Sequence, residues 1–170
     1  MAAYDKSLIR PEMRIEDFRF RGEGMSPDRL NRIKTTLLTL HTLEVMAQNI
    51  YKFQLTDEPS EFNRQLIAAM TNELTHLQDF QARLYEFGWK PWKLRWAFWM
   101  AGFFIGYTSR LLGRTAILKA AIWLESKAVQ HYGEFLETVD WDEDTRKIVE
   151  KNRSDEVVHV ERWQRLLKSG

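Results

Sequence analysis

The chain contains no cysteine. Disulfides, thiolate metal ligands and a Cys nucleophile are therefore excluded, and the composition is compatible with a reducing compartment. A dominant charge is lacking too, since 25 Lys and Arg stand against 24 Asp and Glu. With no overall field to draw one, no nucleic-acid partner is expected. No segment alternates apolar and polar residues over a length that makes a half-buried strand. The opening MAAYDKSLIRPEMRIEDF carries several acids and no apolar run, so neither a secretory signal nor a transit peptide fits it. There is no glycine-rich dinucleotide fingerprint. The uncharged run between Arg95 and Arg110 holds 14 residues, short of the roughly 20 needed to span a bilayer.

What is present is helical periodicity. At 170 residues the chain is read as one domain with a sizeable core, residues 29–170, after an irregular charged lead-in over 1–28. Four stripes recur at three- and four-residue spacing. The first runs Leu30, Ile33, Leu37, Leu40, Glu44, Ala47, Tyr51 and the second Leu66, Ala69, Glu73, His76, Phe80, Leu84. The third runs Leu118, Ala121, Glu125, Ala128, Tyr132 and the fourth Ile148, Asn152, Glu156, His159, Trp163. Ser26 or Asp28 is expected to cap the first helix, with Pro27 near its start, and Ser60 to cap the second. The fold class is therefore all-α: an antiparallel four-helix bundle of two hairpins, joined by a long apolar crossover over about residues 89–113.

Each stripe carries a glutamate. Glu44 precedes Glu73 by 29 residues and Glu125 precedes Glu156 by 31, while the hairpin turns centre near residues 58 and 140. Residues equidistant from a hairpin turn lie at one height, so all four carboxylates are expected at one level of the bundle. Glu73 with His76, and Glu156 with His159, form two Glu-x-x-His pairs, each on one helix face. Spacing alone equally describes a solvated face. The apolar stripes decide it, because four buried carboxylates would repel and each would cost several kcal/mol to desolvate. No Lys or Arg lies on these stripes to neutralise them. A pair of divalent cations would, and oxygen and imidazole donors without sulfur suit iron, with manganese the alternative. One Glu from each of two helices plus Glu-x-x-His from each of the other two is the ferritin-like di-iron ligand set.

Around the six candidates, Glu44, Glu73, His76, Glu125, Glu156 and His159, a supporting ring is expected. Asp155 and Asn72 each precede a candidate Glu and are placed to reach His76 and His159 respectively. Tyr51 and Tyr132, seven residues after Glu44 and Glu125, are read mainly as core packing, and His41 and His131 as polar neighbours rather than ligands. In the crossover, Trp89, Trp92, Trp96 and Trp99 interleave with Lys90, Lys93 and Arg95. That mixture is what an interfacial helix presents to lipid head groups, so peripheral membrane docking is expected; packing over the bundle and a dimer contact are the alternatives.

Five segments together resemble the demethoxyubiquinone hydroxylase family of ubiquinone biosynthesis. They are EVMAQNIYKFQ from Glu44, ELTHLQDF from Glu73, AGFFIGYTSRLLG in the crossover, ESKAVQHY from Glu125, and DEVVH ending at His159. The resemblance covers about residues 30–168, and the crossover motif is its most discriminating part. Two departures are Ser126, where the family commonly has a second acid, and the wealth of Trp in the crossover. Carried across, the resemblance implies that the same six residues hold two irons. It implies a monooxygenase acting with O2 on a lipid-soluble demethoxyquinone, with NADH as ultimate reductant. It places the protein peripherally on the cytoplasmic face of a prokaryotic cell membrane. A homo-oligomer or a reductase partner is left open. Competing readings are a ferritin-like peroxidase or iron oxidase, and a metal-free helical scaffold that docks on membranes.

Overall fold

Three residues that can accept a backbone hydrogen bond stand just ahead of apolar stripes, and each starts a helix. Ser26 Oγ accepts from the Arg29 N–H at 3.3 Å, Ser60 Oγ from Asn63 at 3.1 Å, and Asp142 Oδ1 from Thr145 at 3.2 Å. The helices they open are α1 (Pro27–Gln54), α2 (Glu61–Glu86) and α5 (Glu143–Lys168). Two more complete the set, α3 (Arg95–Leu111) and α4 (Arg114–Thr138). The computed structural model describes residues 10 and 14–169, and among the described residues the only other regular element is a 3-10 turn at Ile15–Asp17. Gly113 separates α3 from α4 at φ 89°, in the left-handed region that glycine enters without a Cβ penalty.

The architecture is a ferritin-like all-α bundle. α1 pairs with α2 and α4 with α5 as antiparallel hairpins, and α3 carries the chain between them. α3 runs in the same direction as α1, as contacts of Gly102 with Met46, Gly106 with Ile50 and Ser109 with Gln54 show. It returns the chain to the far end of α1, so that α4 runs antiparallel to α1. The crossover is thus a fifth helix that lies outside the four and packs on α1. Its close approach depends on two glycines one turn apart. A Cβ at Gly102 would lie 2.5 Å from the Met46 carbonyl oxygen, and one at Gly106 2.5 Å from that of Ile50.

Apolar side chains of the bundle separate into two clusters. One contains Ile33, Leu37, Leu40, Phe80, Leu84, Tyr132 and Val149; the other contains Ile50, Tyr51, Leu66, Leu118, Ala121 and Trp163. Burying a side chain of the Leu, Ile or Phe type contributes about 1.5–3 kcal/mol, so these clusters supply the stabilisation that a polar layer between them opposes. Arg21, ahead of α1, closes one end of the bundle. Its buried guanidinium donates to Glu86 Oε2 and to Asp142 Oδ1, each at 2.6 Å, and so ties the end of α2 to the start of α5.

Candidate metal centre

The glutamates fall in the gap between the two apolar clusters, at mid-length on their helices. Glu44 from α1, Glu73 and His76 from α2, Glu125 from α4, and Glu156 and His159 from α5 are all buried. Their donor atoms form two overlapping groups, Glu44, Glu73, His76 and Glu156, and Glu73, Glu125, Glu156 and His159. Within each group the atoms lie within 4.8 Å of one another. Glu73 and Glu156 belong to both groups. His76 Nδ1 is 3.0 Å from Glu156 Oε1 and 3.8 Å from Glu73 Oε2. His159 Nδ1 is 3.2 Å from Glu156 Oε2 and 3.4 Å from an oxygen of both Glu73 and Glu125.

None of the inward atoms makes a hydrogen bond. Both oxygens of Glu73, both of Glu156, and Nδ1 of His76 and of His159 are buried without a hydrogen bond, facing only one another and Glu125. An orphaned buried polar atom costs about 1–3 kcal/mol, and more when charged. Six such atoms facing one another are instead a donor set for cations, which accept lone pairs from all of them at once. The residues present fit a pair of oxygen- and nitrogen-preferring metal ions.

Protons show the same demand. Burial opposes charge on His76, yet Glu156 and Glu73 outweigh it and raise the imidazole to about 12. Burial likewise opposes charge on His159, and Glu125, Glu156 and Glu73 raise it to about 12. Burial first, then Glu73, pushes the Glu44 carboxyl well above the carboxylate range; burial with Glu156 and Glu73 does so for Glu125. Glu156 is held low because His159 and His76 outweigh its burial.

The carboxylates of Glu44 and Glu125 are held by partners. Tyr132 donates to Glu44 Oε1 at 2.5 Å, and Tyr51 donates to Glu125 Oε1. Each tyrosine therefore supports the glutamate of the opposite hairpin. Both tyrosines are more than core packing, although burial and the facing carboxylates keep their hydroxyls protonated. Trp163 extends one arm, its Nε1 donating to the Tyr51 hydroxyl at 2.9 Å. Spacing marks it: the residue seven after each glutamate is aromatic on all four helices, Tyr51, Phe80, Tyr132 and Trp163. They form two ring pairs, Tyr51 with Trp163 at 5.8 Å and Phe80 with Tyr132 at 6.0 Å.

Asp155 lies where expected, its Oδ2 3.1 Å from His76 Nε2. Asn72 shares a shallow pocket with His159, but no hydrogen bond joins the two. His41 faces away from the cluster, toward Gln81 Oε1 at 3.4 Å. His131 lines a slot of about 300 Å³ between α1 and α4. That slot is walled by Leu40, Leu43, Ala47, Trp123 and Ala128, and ends on Glu44, Glu73 and Glu125.

A helical bundle with carboxylates and Glu-x-x-His pairs gathered in a dry central layer defines the class of ferritin-like carboxylate proteins. Within that class the chain belongs to the ubiquinone biosynthesis protein COQ7 family, whose model matches residues 31–163. Its relatives include the 3-demethoxyubiquinol 3-hydroxylase of Cupriavidus necator, 30% identical over 139 residues, 81% of this chain and 67% of that protein. The 3-demethoxyubiquinol 3-hydroxylase of a Polaromonas species is 32% identical over 124 residues, 71% of this chain and 59% of that protein. The mitochondrial NADPH-dependent 3-demethoxyubiquinone 3-hydroxylase of Dictyostelium discoideum is 29% identical over 125 residues, 71% of this chain and 58% of that protein. The chain thus spans 58% to 67% of the length of these relatives.

Proposed function

We propose that this chain hydroxylates the ring of a demethoxyquinone with O2, as a peripheral membrane monooxygenase holding two iron ions. The observation that carries the reading is the set of buried donor atoms without a hydrogen bond in two overlapping groups. Glu44, Glu73, His76 and Glu156 would hold one ion, and Glu73, Glu125, Glu156 and His159 the other. Bound there, the ions would supply the redox chemistry that activates O2. Tyr132 and Tyr51 orient Glu44 and Glu125. Asp155 accepts the outer His76 N–H, which leaves Nδ1 free to bind metal. The slot between α1 and α4 admits a flat ring to the carboxylate side and excludes water through its apolar walls. One oxygen atom enters the ring and the other leaves as water, balanced by an electron pair and a pair of protons.

Electrons come ultimately from a reduced nicotinamide, passed through a partner or the quinone itself. The substrate arrives from lipid. Trp92 just ahead of α3, and Trp96, Trp99, Phe104, Tyr107 and Leu111 on it, stand exposed, and they dock the protein on the cytoplasmic face of a prokaryotic membrane. Among the described residues no helix is long and apolar enough to cross one.

The test loads the protein with Fe(II) and supplies a demethoxyquinone, a reductant and labelled oxygen gas. Mass spectrometry is expected to find one labelled oxygen on the ring. Glu156→Ala is expected to lose turnover and iron together. Full iron loading with no ring oxidation by the unaltered chain would refute the reading.

A further inference from the structure

A second pocket, of about 380 Å³, lies where α1, α2 and the start of α3 meet. His41, Asn49, Gln81, Arg95, Trp96 and Trp99 line it, and none of the six cluster residues does. Two of its walls carry an unmet demand. Asn49 is 1% exposed and its Nδ2 donates to the Val45 carbonyl at 2.7 Å, which fixes the amide so that Oδ1 is an acceptor without a donor. His41 is also 1% exposed, and its Nδ1 has no partner. Burial and the nearby Arg95 hold His41 below its ordinary value, so the ring is neutral at pH 7. With Nε2 donating to Gln81 Oε1, Nδ1 presents a lone pair. Arg95, at the rim, forms no ion pair among the described residues. The pocket therefore asks for one anionic group and for hydroxyl donors close beside it.

The surroundings fix where such a ligand comes from. Between Glu86 and Glu125 the chain has no acidic residue. Lys90, Lys93 and Arg95 stand at one end of α3, with Arg110 in its last turn and Arg114 and Lys119 beyond it. Trp96 and Trp99 of the pocket lining are exposed, as is Trp92 just ahead of α3. Tryptophan sits at head-group depth, and a helix with basic ends and an aromatic face lies flat on an anionic bilayer. An arginine fork matches phosphate oxygens.

We propose that this pocket binds the head group of an anionic lipid whose phosphodiester bears a polyol, of the phosphatidylglycerol type. The phosphate sits on Arg95, and the hydroxyls donate to Asn49 Oδ1 and His41 Nδ1. The proposal rests on the membrane-docking part of the function proposed above. It adds a lipid preference and a seat that sets α3 at a defined depth.

Vesicle co-sedimentation of the full iron-loaded chain tests it. Vesicles of phosphatidylcholine are compared with the same vesicles containing phosphatidylglycerol or phosphatidylmethanol, which has the same charge and no hydroxyl. Binding to phosphatidylglycerol is expected to be about tenfold tighter than to phosphatidylmethanol, the order expected for well-placed buried hydrogen bonds. Arg95→Gln is expected to reduce the phosphatidylglycerol affinity at least tenfold while its helicity and iron content stay unchanged. Equal affinity for the two anionic lipids, or an unaltered Arg95→Gln variant, overturns the head-group site and leaves docking intact. Failure to bind any vesicle overturns docking and the site together. Free glycerol phosphate binding without any preference among vesicles overturns the lipid assignment.

Discussion

Tyr132 reaches across from α4 to hold Glu44 on α1, and a single hydroxyl makes the link. Groups that orient a metal ligand typically account for 10- to 100-fold in affinity. Tyr132→Phe is therefore expected to weaken metal binding by about that factor, while keeping the Phe80 ring contact and the fold. Titration of the variant with Mn(II), followed by calorimetry, checks it; unchanged affinity would show that Glu44 needs no support. A second expectation concerns protons. His76 and His159, both raised to about 12, carry protons at pH 7. A cation needs the bare nitrogen, so binding must expel these protons and affinity must climb as pH rises. The measured heat of binding should then vary with the ionisation heat of the buffer, and a heat independent of buffer would contradict it. At this scale the six inward residues were legible, because type, spacing and stripe all agreed. The role of Tyr51 and Tyr132 was not. Their seven-residue offset was visible, but their partners lie on the opposite hairpin, and spacing within one helix does not name a partner on another. His41 misled for a related reason: three residues before Glu44 is close along α1, yet its ring points toward α2 and Gln81.

For the helices, boundaries and turns could be read from caps. Ser26 and Ser60 cap as the sequence suggests, and the gaps after Gln54 and Thr138 fall at the expected turns. The seat of α3 was harder. Its apolar residues face both inward and outward, so hydrophobic pattern does not say which side meets the bundle. The pair Gly102 and Gly106 does say so, because only a flat strip without Cβ atoms lets α3 reach the α1 backbone. Gly106→Val places carbon 2.5 Å from the Ile50 carbonyl oxygen and must push α3 outward. A loss of about 1–3 kcal/mol is expected, the range for overpacking a tight contact. Chemical denaturation measures it. A variant as stable as the parent would mean that α3 contributes little to holding α1 in place.

Across the whole molecule, the two hairpins repeat one plan. Each has a helix offering Glu, then an aromatic seven residues later, followed by a helix offering Glu-x-x-His and another aromatic at the same offset. Antiparallel assembly sends Tyr51 and Trp163 to one side of the acidic layer, and Phe80 and Tyr132 to the other. The layer is therefore roofed and floored by rings, which keeps it dry and makes its charges costly without ligands. This much of the architecture follows from the repeat in the sequence. What the repeat conceals is where it fails. Asp155 backs His76, whereas no hydrogen bond links Asn72 to His159. The twin positions are consequently unequal in grip. A stepwise isotherm is expected, with a first equivalent taken up tightly beside His76 and a second held more loosely beside His159. Asp155→Ala should merge the two steps, and a single step in the unaltered protein would show the twins to be alike. Under scarce metal such a molecule would pass through a half-filled state with its ion always on the Asp155 side, rather than a random mixture of halves.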